Sequence, residues 1–548
     1  MSKIKVSDYL IQELYKLGIK DFFGLPGDYC FNIVDSVQNN PNTKWIGCTN
    51  ELNAGCAADG YARLNGYGAL ITTYNVGELS AMNPIGGCYS ENVPVIHIVG
   101  APKTKYIKSN AVMHHNFCEP DYYAGIRAFE NYTEASAFLD EQNAKNEIER
   151  VISIMMRTKK PVYIAIPADI CDMEIDNEPD IQLPVSDEKT LNEAVEHAVR
   201  LIDNSAVPVI IGDFLVERFI CKKEFNEFVN TCGIPVTTFI MGKGIIDENS
   251  KYFTGSYLGS MENTDVYFQV NNSDCPICVG TVFGDFNTLK YDIRVNPKDH
   301  IEILGTVTTI ENTVYENVLM KDILTKLSLR VQKRNMKVIK AVPQVCNIED
   351  NDNPLDFEFM FQRFQEFLKE DDCIFSDTGI LNFFPPMLNF PRNARWYNQL
   401  LWASIGWATP ALFGAMVAKP SRRMILLTGE GAHQLTIQSV SNMFYYNLKP
   451  IIFVLNNSGY TIERILSKDP KDAYNNIIPW AYTDIIKAFC KKDVFTAKVY
   501  TNQEFADVLE IAAEEQKSKL CYIELFTEEM ELPYLVKKLY RRNEIKPE

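Results

Sequence analysis

Apolar and polar positions along the chain alternate between two patterns. Short apolar runs rich in β-branched residues have the length of buried strands, and amphipathic segments of helical length separate them. One such segment opens the chain, where Val6, Leu10, Leu14 and Leu17 fall on one helical face. Clear strand-like runs lie at 161–166, 207–211, 301–304 and 521–525. Strands that alternate with helices predict an α/β protein built from parallel sheets flanked by helices.

Two polar connectors interrupt this alternation. The first, 172–189, is acidic and carries prolines, and the second, 334–354, ends in a run of Asp, Asn and Pro. They divide the chain into three segments, each long enough to form a domain. We therefore predict a first domain over 1–175, a central domain over 190–335 and a third domain over 355–548.

Composition and charge narrow the classes of function. Of the 548 residues 46% are apolar, which is enough for several proper cores. The formal net charge of −17 disfavours nucleic acid and anionic membranes as partners. No apolar run approaches the roughly 20 residues that a membrane span needs, and no basic and then apolar leader precedes the first amphipathic segment. We expect a soluble, cytoplasmic protein that binds neither nucleic acid nor membranes.

The cysteines suggest a reducing compartment rather than a metal site. Fourteen of them are scattered along the chain, and only Cys275 and Cys278 have C-x-x-C spacing. No second pair follows at the distance that a zinc ribbon needs. Because this pair lies in an apolar, strand-like segment, we interpret both residues as reduced core thiols, which agrees with the cytoplasm.

A glycine loop near residue 430 has the pattern of a phosphate site. A strand-like run at 424–427 leads into Gly429, Glu430 and Gly431, and helical positions follow from about 434 to 445. Such a loop presents backbone N–H groups and a helix N-terminus to a diphosphate. A lone G-x-G is more often a simple turn, so this loop does not decide the matter by itself.

A second motif lies one strand–helix–strand step further along. The apolar run 451–455 predicts a buried parallel strand, which brings Asn457 and Gly459 to the same sheet edge as the glycine loop. A diphosphate on an acidic protein usually needs a divalent cation, and Mg²⁺ prefers oxygen ligands. Glu430 offers a carboxylate, Asn457 an amide oxygen and Gly459 a backbone carbonyl. Together the two motifs favour a magnesium and diphosphate site over a simple turn.

The chain also carries the motifs of one enzyme family in matching order and spacing. They are the stretches 23–29, 50–53, 58–63, 77–81, 114–115, 404–406 and 459–463. On these motifs the chain resembles the thiamine diphosphate-dependent 2-oxo acid decarboxylases, which act on pyruvate, indolepyruvate, phenylpyruvate or branched-chain 2-oxo acids. The resemblance covers nearly the whole length. It implies thiamine diphosphate and Mg²⁺ as cofactors, and a pyrimidine-binding, a central and a diphosphate-binding domain in that order.

The resemblance also implies how the cofactor is held and activated. Glu51 matches the carboxylate that shares a proton with the pyrimidine ring, although alone it would read as a favourable dipole partner at the start of a helix. Ile405 matches the bulky side chain that keeps the cofactor bent, although alone it would read as a core residue. Backbone groups near Gly379 and Ala403 match those that bind the aminopyrimidine. The other implied cofactor residues are Ile380, Gly429, Glu430, Gly431, Ala432, Asn457, Gly459, Tyr460, Thr461 and Ile462, with Glu430, Asn457 and Gly459 as metal ligands.

Four further side chains match the proton-transfer set of the family. They are Asp28, His114, His115 and Glu463. The resemblance implies that Asp28 pairs with His115 and that Glu463 acts beside the reacting carboxylate. An isolated His-His pair is equally compatible with a surface turn, but the chain has only six histidines and the motifs supply acidic partners. Carboxylates in an apolar pocket should have raised pKa values, which suits general acids near neutral pH.

Several departures from the family pattern bear on the cofactor. Glu430 stands where an aspartate is usual, so its carboxylate lies one methylene further out, and we expect metal binding to be retained. Ile380 replaces a usual hydroxyl residue, which removes one hydrogen bond worth on the order of 1 kcal/mol. Asn75, Pro84 and Ser439 also differ from the usual residues. We expect an active enzyme with a slightly altered cofactor site.

We therefore predict non-oxidative decarboxylation of a 2-oxo acid to an aldehyde and CO₂. Two alternatives stay open, a thiamine-dependent carboligase and a catalytically silent cofactor-binding homologue. In this family Glu51 and the glycine loop come from different subunits, so the resemblance implies a homodimer or homotetramer with active sites at the interface.

The choice of substrate is the least determined part of this prediction. We expect a pocket lined by Phe383, Ile462, Leu466 and the C-terminal helix near Leu535 and Leu539. Apolar walls discriminate weakly, because each methylene is worth about 1–3 kcal/mol. Pyruvate, branched-chain and aryl 2-oxo acids all remain possible, and the bulk of Ile462 mildly favours smaller acids.

Overall fold

The structure is a computed structural model that describes residues 2–262, 264–296, 299–340, 348–489 and 492–544. Three sheets take their strands from three successive stretches of the chain, and most neighbouring strands are parallel. Helices alternate with the strands along each stretch. The predicted α/β class with parallel sheets flanked by helices is confirmed, and the predicted domain bounds stay a prediction.

The first stretch forms a parallel sheet of six strands. The strands of this stretch are β1 (Lys3–Lys5), β2 (Asp21–Gly24), β3 (Lys44–Gly47), β4 (Gly68–Thr73), β5 (Val95–Ala101), β6 (Ala135–Phe138), β7 (Val162–Pro167) and β8 (Glu174–Asp176). The sheet has the order β3-β2-β4-β5-β7-β6, and β1 pairs antiparallel with β8 outside it. Every residue of β4 and β5 is buried, as expected for inner strands with both faces covered.

Helices connect these strands and bury one apolar face each. They are α1 (Val6–Lys16), α2 (Phe31–Asn39), α3 (Glu51–Asn65), α4 (Val76–Ser80), α5 (Met82–Ser90), α6 (Thr104–Lys108), α7 (Ala124–Phe129), α8 (Ala144–Thr158) and α9 (Ala168–Cys171). In α8 the buried residues Ile148, Val151, Ile152 and Met155 recur at helical spacing, which is why this segment packs on the sheet.

The central stretch forms a sheet that is only partly parallel. Its strands are β9 (Pro208–Gly212), β10 (Val236–Thr238), β11 (Phe253–Ser256), β12 (Cys275–Val279), β13 (Ile301–Leu304), β14 (Val307–Ile310) and β15 (Thr313–Glu316), in the order β11-β10-β9-β12-β13-β14-β15. The prediction of a wholly parallel sheet is wrong here, because β14 pairs antiparallel with both β13 and β15. Only two residues separate these strands along the chain, and such short hairpin connections require antiparallel pairing.

Helices of the central stretch and the cysteine pair complete this region. The helices are α10 (Glu188–Asn204), α11 (Leu215–Arg218), α12 (Lys222–Cys232), α13 (Gly259–Glu262), α14 (Thr264–Asn271) and α15 (Met320–Arg330). Cys275 and Cys278 both lie in β12, fully buried, and both are free thiols, as predicted. Two other cysteines, Cys346 and Cys490, lie outside the described residues.

The third stretch forms another six-stranded parallel sheet. Its strands are β16 (Cys373–Ser376), β17 (Arg395–Tyr397), β18 (Met424–Gly429), β19 (Ile451–Asn456), β20 (Val494–Val499) and β21 (Leu520–Phe526), in the order β17-β16-β18-β19-β21-β20. Its helices are α16 (Phe357–Phe367), α17 (Ala408–Ala418), α18 (Glu430–Thr436), α19 (Ser439–Tyr445), α20 (Thr461–Leu466), α21 (Tyr482–Phe489), α22 (Asn502–Glu515) and α23 (Tyr534–Glu544).

The helix predicted from about 434 to 445 is wrong in two respects. The helical conformation begins at Glu430, directly after β18, and it is divided into α18 and α19. The Thr436 hydroxyl, at the end of α18, donates to the Gly406 carbonyl at 2.6 Å, which ties this residue to another segment. The glycine loop is therefore itself the first turn of a helix.

By the density of their contacts, residues group into two compact units. The first unit contains Met1–Pro184, Leu401–Ser421 and Thr436–Tyr446, and the second unit contains the rest. In the first unit α17 crosses α3 with backbone contact: a Cβ at Gly60 would lie 1.9 Å from the Ala411 carbonyl oxygen, and one at Gly414 would lie 1.8 Å from that of Ala57. Two glycines thus allow α17 to join the helices of the first stretch.

None of the described helices is both long enough and apolar enough to cross a bilayer. The longest helices of the first stretch, α3 and α8, have only 15 residues each.

Candidate active site

In the first unit, candidate residues follow the carboxyl ends of three neighbouring strands. Asp28 lies in the turn after β2, Glu51 opens α3 after β3, and Gly77 follows β4. The sheet order places β2 between β3 and β4. The carboxyl edge of a parallel sheet is where α/β proteins place their ligands, so the topology brings these residues to one edge.

Glu51 has the environment of a carboxyl group that binds a proton easily. The Asn50 side chain caps α3 by accepting from the Asn53 N–H at 2.7 Å, which fixes Glu51 in the first helical turn. Glu51 is partly buried, and this burial raises its pKa. A Cβ at Gly77 would lie only 3.1 Å from Glu51 Oε1, so the glycine leaves space for the carboxyl group.

Asp28, His114 and His115 form one cluster, but with a different pairing from the predicted one. His114 Nε2 lies 2.9 Å from Asp28 Oδ2, and the predicted bond between Asp28 and His115 is wrong. His115 has a positive φ of 66°, and its buried Nδ1 has no hydrogen-bond partner. The His115 ring nevertheless stays in the cluster, with its centre 4.6 Å from that of the His114 ring.

Two tyrosines fix His114 in this cluster. Because a carboxylate only accepts, His114 Nε2 carries the proton, and Nδ1 accepts from the Tyr29 hydroxyl at 3.0 Å. The Tyr74 hydroxyl donates to the His114 carbonyl. Burial and the neighbouring His114 lower the pKa of His115, so this second imidazole is neutral near pH 7.

The loop that carries Ala403 and Ile405 also belongs to the first unit. Ala403 has a positive φ of 55°, and Ile405 is only partly buried, so the reading of Ile405 as an ordinary core residue does not hold. At one end of the loop the Leu401 N–H donates to Glu91 Oε1 at 3.0 Å. At the other end Trp407 Nε1 donates to Asp59 Oδ2 at 3.1 Å.

One buried arginine, Arg63, contacts both of the carboxylates that accept from the two ends of the loop. Arg63 is almost fully buried and forms ion pairs with both Asp59 and Glu91, the latter at 2.8 Å. Its guanidinium group also lies 4.5 Å from the centre of the Trp407 ring. These charges raise the pKa of Arg63, so it stays charged. Arg63 therefore clamps the loop to α3, the helix that begins with Glu51.

In the second unit, the candidate residues again follow neighbouring parallel strands. Gly379 comes after β16, Glu430 after β18, and Asn457 with Gly459 after β19. These three strands are adjacent in the sheet order. The topology therefore brings the glycine loop and the Asn457 motif to one edge, as the sequence predicts.

The acidic residue of the glycine loop is buried and bonded to the next motif. Glu430 is 3% exposed, and its Oε1 accepts from the Gly459 N–H at 3.0 Å. Burial raises the pKa of Glu430 to about 7, although the backbone N–H groups of Gly459 and Asn457 and the nearby Arg464 oppose this rise. The longer glutamate side chain thus reaches the segment that carries the other two predicted metal ligands.

The segment from Asn457 to Gly459 is held in place by two side chains. Asn457 Nδ2 donates to Thr461 Oγ1 at 2.7 Å, which leaves the amide oxygen as the atom available to a cation. Arg464 donates to the Asn457 and Ser458 carbonyls at 3.3 and 2.8 Å. A Cβ at Gly459 would lie 2.3 Å from the Arg464 guanidinium group, so only glycine fits beside it.

Open space lies beside two other glycines of this edge. A Cβ at Gly379 or at Gly429 would meet nothing within 4 Å, whereas one at Gly431 would lie 2.4 Å from the Tyr460 ring. Next to Gly379, the buried Thr378 Oγ1 has no hydrogen-bond partner. An open groove beside an unsatisfied hydroxyl is what a polar ligand needs. Ile380, by contrast, is buried and offers only apolar surface.

Glu463 and Ile462 lie at the start of α20, beside an apolar cavity of about 180 Å³. Glu463 is exposed, and Ile462 lines the cavity. Four of the five predicted lining residues are present, namely Phe383, Ile462, Leu466 and Leu539. Leu535 is instead fully buried and is not part of the lining.

Comparisons with known proteins agree with this geometry along the whole chain. Profiles described as the N-terminal TPP binding, central and C-terminal TPP binding domains of thiamine pyrophosphate enzymes match residues 4–124, 195–323 and 377–525. The chain is 34% identical to a pyruvate decarboxylase of Kluyveromyces lactis, over 97% of both chains. It is 35% identical to a putative pyruvate decarboxylase of Schizosaccharomyces pombe, over 93% of this chain and 95% of the relative. Identity to pyruvate decarboxylase isozyme 1 of Saccharomyces cerevisiae is 33%, over 97% of both chains.

The chain belongs to the thiamine diphosphate-dependent 2-oxo acid decarboxylases. This confirms the predicted family and thiamine diphosphate as its cofactor. The second-unit edge of this decarboxylase fits the cofactor, because it combines an open groove at Gly379 and Gly429 with oxygen donors on Glu430 and Asn457. The first-unit edge fits the proton chemistry, because Glu51 has a raised pKa there.

Some residues at the decarboxylase site were missed by sequence reasoning. Phe286 and Leu289 line the cavity from the segment after β12, far along the chain from the predicted lining residues Phe383 and Ile462. No motif marks them, and only the fold brings them there. The Arg63 clamp was also missed, although the 58–63 motif contains two of its members, Asp59 and Arg63. A buried Asp and Arg at i,i+4 in a mostly small-residue helix is a signal that points to such a clamp.

Proposed function

We propose that the protein removes CO₂ from a 2-oxo acid without oxidation and releases the aldehyde, with thiamine diphosphate and Mg²⁺ as cofactors. The observation that carries this proposal is the cluster of Asp28, His114 and His115 at the sheet edge that also bears Glu51. Decarboxylation to an aldehyde needs a proton at carbon after CO₂ leaves, and this cluster provides several proton-bearing groups. Membership of the decarboxylase family supports the same reaction.

In this proposal the second unit anchors the cofactor. Glu430, Asn457 and Gly459 would bind Mg²⁺ through a carboxylate, an amide and a carbonyl oxygen. The N–H groups of Gly431 and Ala432, in the first turn of α18, would bind the diphosphate. The aminopyrimidine would be held by the backbone at Gly379, and Tyr460, Thr461 and Ile462 would line the cofactor. The first unit would add the Ala403 backbone and the Ile405 side chain. When bound, thiamine diphosphate would supply a nucleophilic carbon for the keto group and a cationic ring able to take up the electron pair released with CO₂.

The first unit supplies the protons. Glu51, whose pKa is raised by burial, would hold a proton for the pyrimidine ring. His114 carries a proton on Nε2 and shares it with Asp28 Oδ2, and this pair would deliver the proton that the carbon takes up as the aldehyde forms. His115 is neutral near pH 7 and adds a second imidazole for proton exchange. Glu463 would act beside the departing carboxylate.

We further propose a homodimer, or a dimer of dimers, in which the two edges that form one site come from different subunits. Exposed apolar side chains support this arrangement. On the first unit they include Phe31, Val76, Leu79, Val112 and Phe117, and on the second unit Leu435, Tyr474, Ile478 and Trp480. Contiguous exposed apolar surface marks protein interfaces. The first unit would supply the pyrimidine-binding domain (1–175), and the domains over 190–335 and 355–548 would be the central and diphosphate-binding ones.

The cavity beside Ile462 supports an apolar substrate side chain. Phe286 and Leu289 form one of its walls, opposite Phe383, Leu466 and Leu539, and the Phe286 ring lies 6.3 Å from the Phe383 ring. The printed name of the relatives makes pyruvate the first substrate to test. The cavity has a volume of about 180 Å³ and mostly apolar walls, so branched-chain and aryl acids are tested beside pyruvate.

Buried hydrogen bonds hold this wall in place, and we call the set formed by Asn287, Asp213, Met241 and Val282 the latch. Asn287, which lies between Phe286 and Leu289 along the chain, is fully buried and donates from Nδ2 to Asp213 Oδ2 at 2.6 Å. Its Oδ1 accepts from the Met241 N–H at 2.9 Å. Asp213 is itself fully buried and also accepts from the Val282 N–H at 3.0 Å. We propose that this latch sets the width of the substrate pocket.

The buried free thiols at Cys275 and Cys278 support a cytoplasmic location, because thiols persist in reducing compartments.

The experiment that tests the proposed function adds thiamine diphosphate and Mg²⁺ to the protein and follows aldehyde with an alcohol dehydrogenase and NADH. Pyruvate, 2-oxoisovalerate, phenylpyruvate and indolepyruvate are compared. We expect CO₂ and aldehyde in equal amounts. An acyloin as the main product would identify a carboligase instead, and cofactor binding without any product would identify a silent homologue.

A further inference from the structure

The Asp28, His114 and His115 cluster has the composition of a metal site as well as that of a proton relay. Each residue offers one ligand atom, and these atoms all lie within 4.8 Å of one another. Two imidazoles and one carboxylate form a ligand set that binds borderline divalent cations such as Zn²⁺, Co²⁺ and Ni²⁺. Mg²⁺ prefers oxygen ligands and is not suited to this set.

We propose that this cluster binds one Zn²⁺-class cation per chain, and that the bound cation inhibits the enzyme. The binding part depends only on the geometry of the first unit. The inhibition part rests on the proposed function, because a cation here would occupy the atoms that transfer the proton.

The positions of the ligand atoms support binding without rearrangement of the backbone. His114 Nε2 and Asp28 Oδ2 already face each other at 2.9 Å, a separation close to that of two ligand atoms on one cation. Their side chains are 56% and 49% exposed, so a cation can reach them from solvent. His115 is less exposed, and its Nδ1 is buried without a partner. A ring that makes no bond through this atom loses nothing there when it turns toward a cation.

A histidine that binds a cation through one ring nitrogen also needs a hydrogen-bond partner for its other ring nitrogen, and a residue beside the cluster offers one. Metal binding at His114 Nε2 would move the ring proton to Nδ1, and Nδ1 lies 3.0 Å from the Tyr29 hydroxyl. This hydroxyl can accept as well as donate, so it would fix the bound tautomer. Tyr29 is buried and packs edge-on against Tyr74, which holds it in place. Tyr29 would thus be a positioning residue for the cation.

The test measures binding directly, with the enzyme loaded with thiamine diphosphate and Mg²⁺. Cys118 is exposed three residues after His115, so its thiol is a competing ligand and the parent protein is Cys118→Ser. Zn²⁺ is titrated against a chromogenic chelator, and Co²⁺ is added in parallel to record its visible absorption bands. We expect one cation per chain, with the band intensity of a low-coordinate nitrogen and oxygen site. Excess Mg²⁺ should not displace it.

Three variants and one control sharpen this test. We expect His114→Gln and His115→Gln each to weaken Zn²⁺ binding at least tenfold, and Tyr29→Phe to weaken it about tenfold through the lost partner of Nδ1. The matched control is His197→Gln, which removes another solvent-accessible histidine, one bonded to Tyr315 and near Glu311. It should leave Zn²⁺ binding unchanged. Circular dichroism of each variant verifies folding.

Activity then tests the inhibitory role. Zn²⁺ should stop aldehyde formation with the same concentration dependence as binding, and removal of Zn²⁺ by a chelator followed by fresh Mg²⁺ should restore it. Binding that is unchanged in both histidine variants, or that is absent from the Cys118→Ser parent, would overturn the site. Binding at the cluster with full activity would overturn the inhibition and leave the site. An enzyme that binds Zn²⁺ as expected but makes no aldehyde even without Zn²⁺ would contradict the proposed function alone.

Discussion

The two edges that carry the candidate residues are built alike and differ in chemistry. In each unit, three neighbouring parallel strands deliver residues to one carboxyl edge, namely β2, β3 and β4 in the first unit and β16, β18 and β19 in the second. The first edge presents an exposed acid, Asp28, bonded to His114, together with His115 and the partly buried Glu51. The second presents glycines, an open groove and one buried carboxyl group. In the proposed function, one architecture serves proton transfer in one unit and cofactor anchoring in the other.

Because the two edges have different proposed roles, a substitution at the first-unit edge should stop turnover without releasing the cofactor. We expect Glu51→Gln to lower kcat by about 10²–10⁴-fold, because the amide cannot share a proton with the pyrimidine ring. The affinity for thiamine diphosphate, followed by tryptophan fluorescence in the presence of Mg²⁺, should change by less than about threefold, since the diphosphate contacts lie in the other unit. Unchanged kcat in this variant would refute the role of Glu51.

A substitution at the second-unit edge should instead weaken the binding of the cofactor. We expect Glu430→Ala to weaken the Mg²⁺-dependent binding of thiamine diphosphate by about 10–100-fold, because a metal ligand and the bond to the Gly459 N–H are both lost. Glu430→Asp is the matched control, and it should retain most of the affinity because aspartate is usual at this position. The fluorescence titration is repeated over a range of Mg²⁺ concentrations. A titration curve for Glu430→Ala that overlays the parent curve would remove Glu430 from the metal site.

Each unit also contains one fully buried histidine, and these two residues predict how acid changes the stability of the fold. Burial lowers the pKa of His97 and of His433 to about 3, compared with about 6.5 when unfolded. Both are neutral in either state above pH 6.5. Below it the unfolded chain binds protons that the folded chain does not, so stability falls by up to about 1.4 kcal/mol per pH unit for each histidine between pH 6.5 and 3.

A variant isolates the histidine of the first unit. His97→Phe keeps an aromatic ring between Phe129 and Tyr163, and loses the bond to Thr72 at all pH values alike. Urea midpoints at pH 7.5, 6.5 and 5.5 should therefore fall less steeply with acid than in the parent. His197→Gln serves as the control and should keep the parental slope. Equal slopes in His97→Phe and the parent would contradict this account.

The smallest expected effect concerns the substrate, and it should leave both edges intact. We expect Asn287→Ala to change the ratio of kcat/KM for phenylpyruvate to that for pyruvate by about 3–10-fold, because the wall that carries Phe286 and Leu289 loses its latch. The change should appear mainly in KM for the larger acid, and kcat for pyruvate should stay within about twofold. Asn287→Asp, which keeps the size of the side chain, is compared. A uniform loss of kcat for all substrates would indicate a general structural role.

What the sequence could predict was local. The strand at 301–304 has the predicted bounds, and Glu51 is the first residue of a helix, as its interpretation as a dipole partner requires. These features depend on residues within one or two elements. The bond from Glu430 to Gly459 was not foreseen, but the topology that allows it was, because adjacent parallel strands share an edge.

The antiparallel pairing of β14 was a local error, whereas several others concern contacts between distant segments. Asp28 and His114 are 86 residues apart along the chain, and no periodicity reveals that they pair. Thr436, where α18 ends, bonds to Gly406, 30 residues away, and no local pattern reveals this bond. The cavity wall at Phe286 comes from a segment without a motif. Such contacts follow from the packing of the whole chain and cannot be predicted from any one window of it.

The most direct test of the account mixes two inactive variants, Glu51→Gln and Glu430→Ala, after dissociation of their subunits. If the two edges of one site come from different subunits, each mixed dimer has one site with both defects and one intact site. Random reassociation should then recover about a quarter of the parental activity. If both edges of a site came from the same chain, every site would carry one defect. A mixture that stays as inactive as its components would contradict the claim that the two units of different subunits complete one active site.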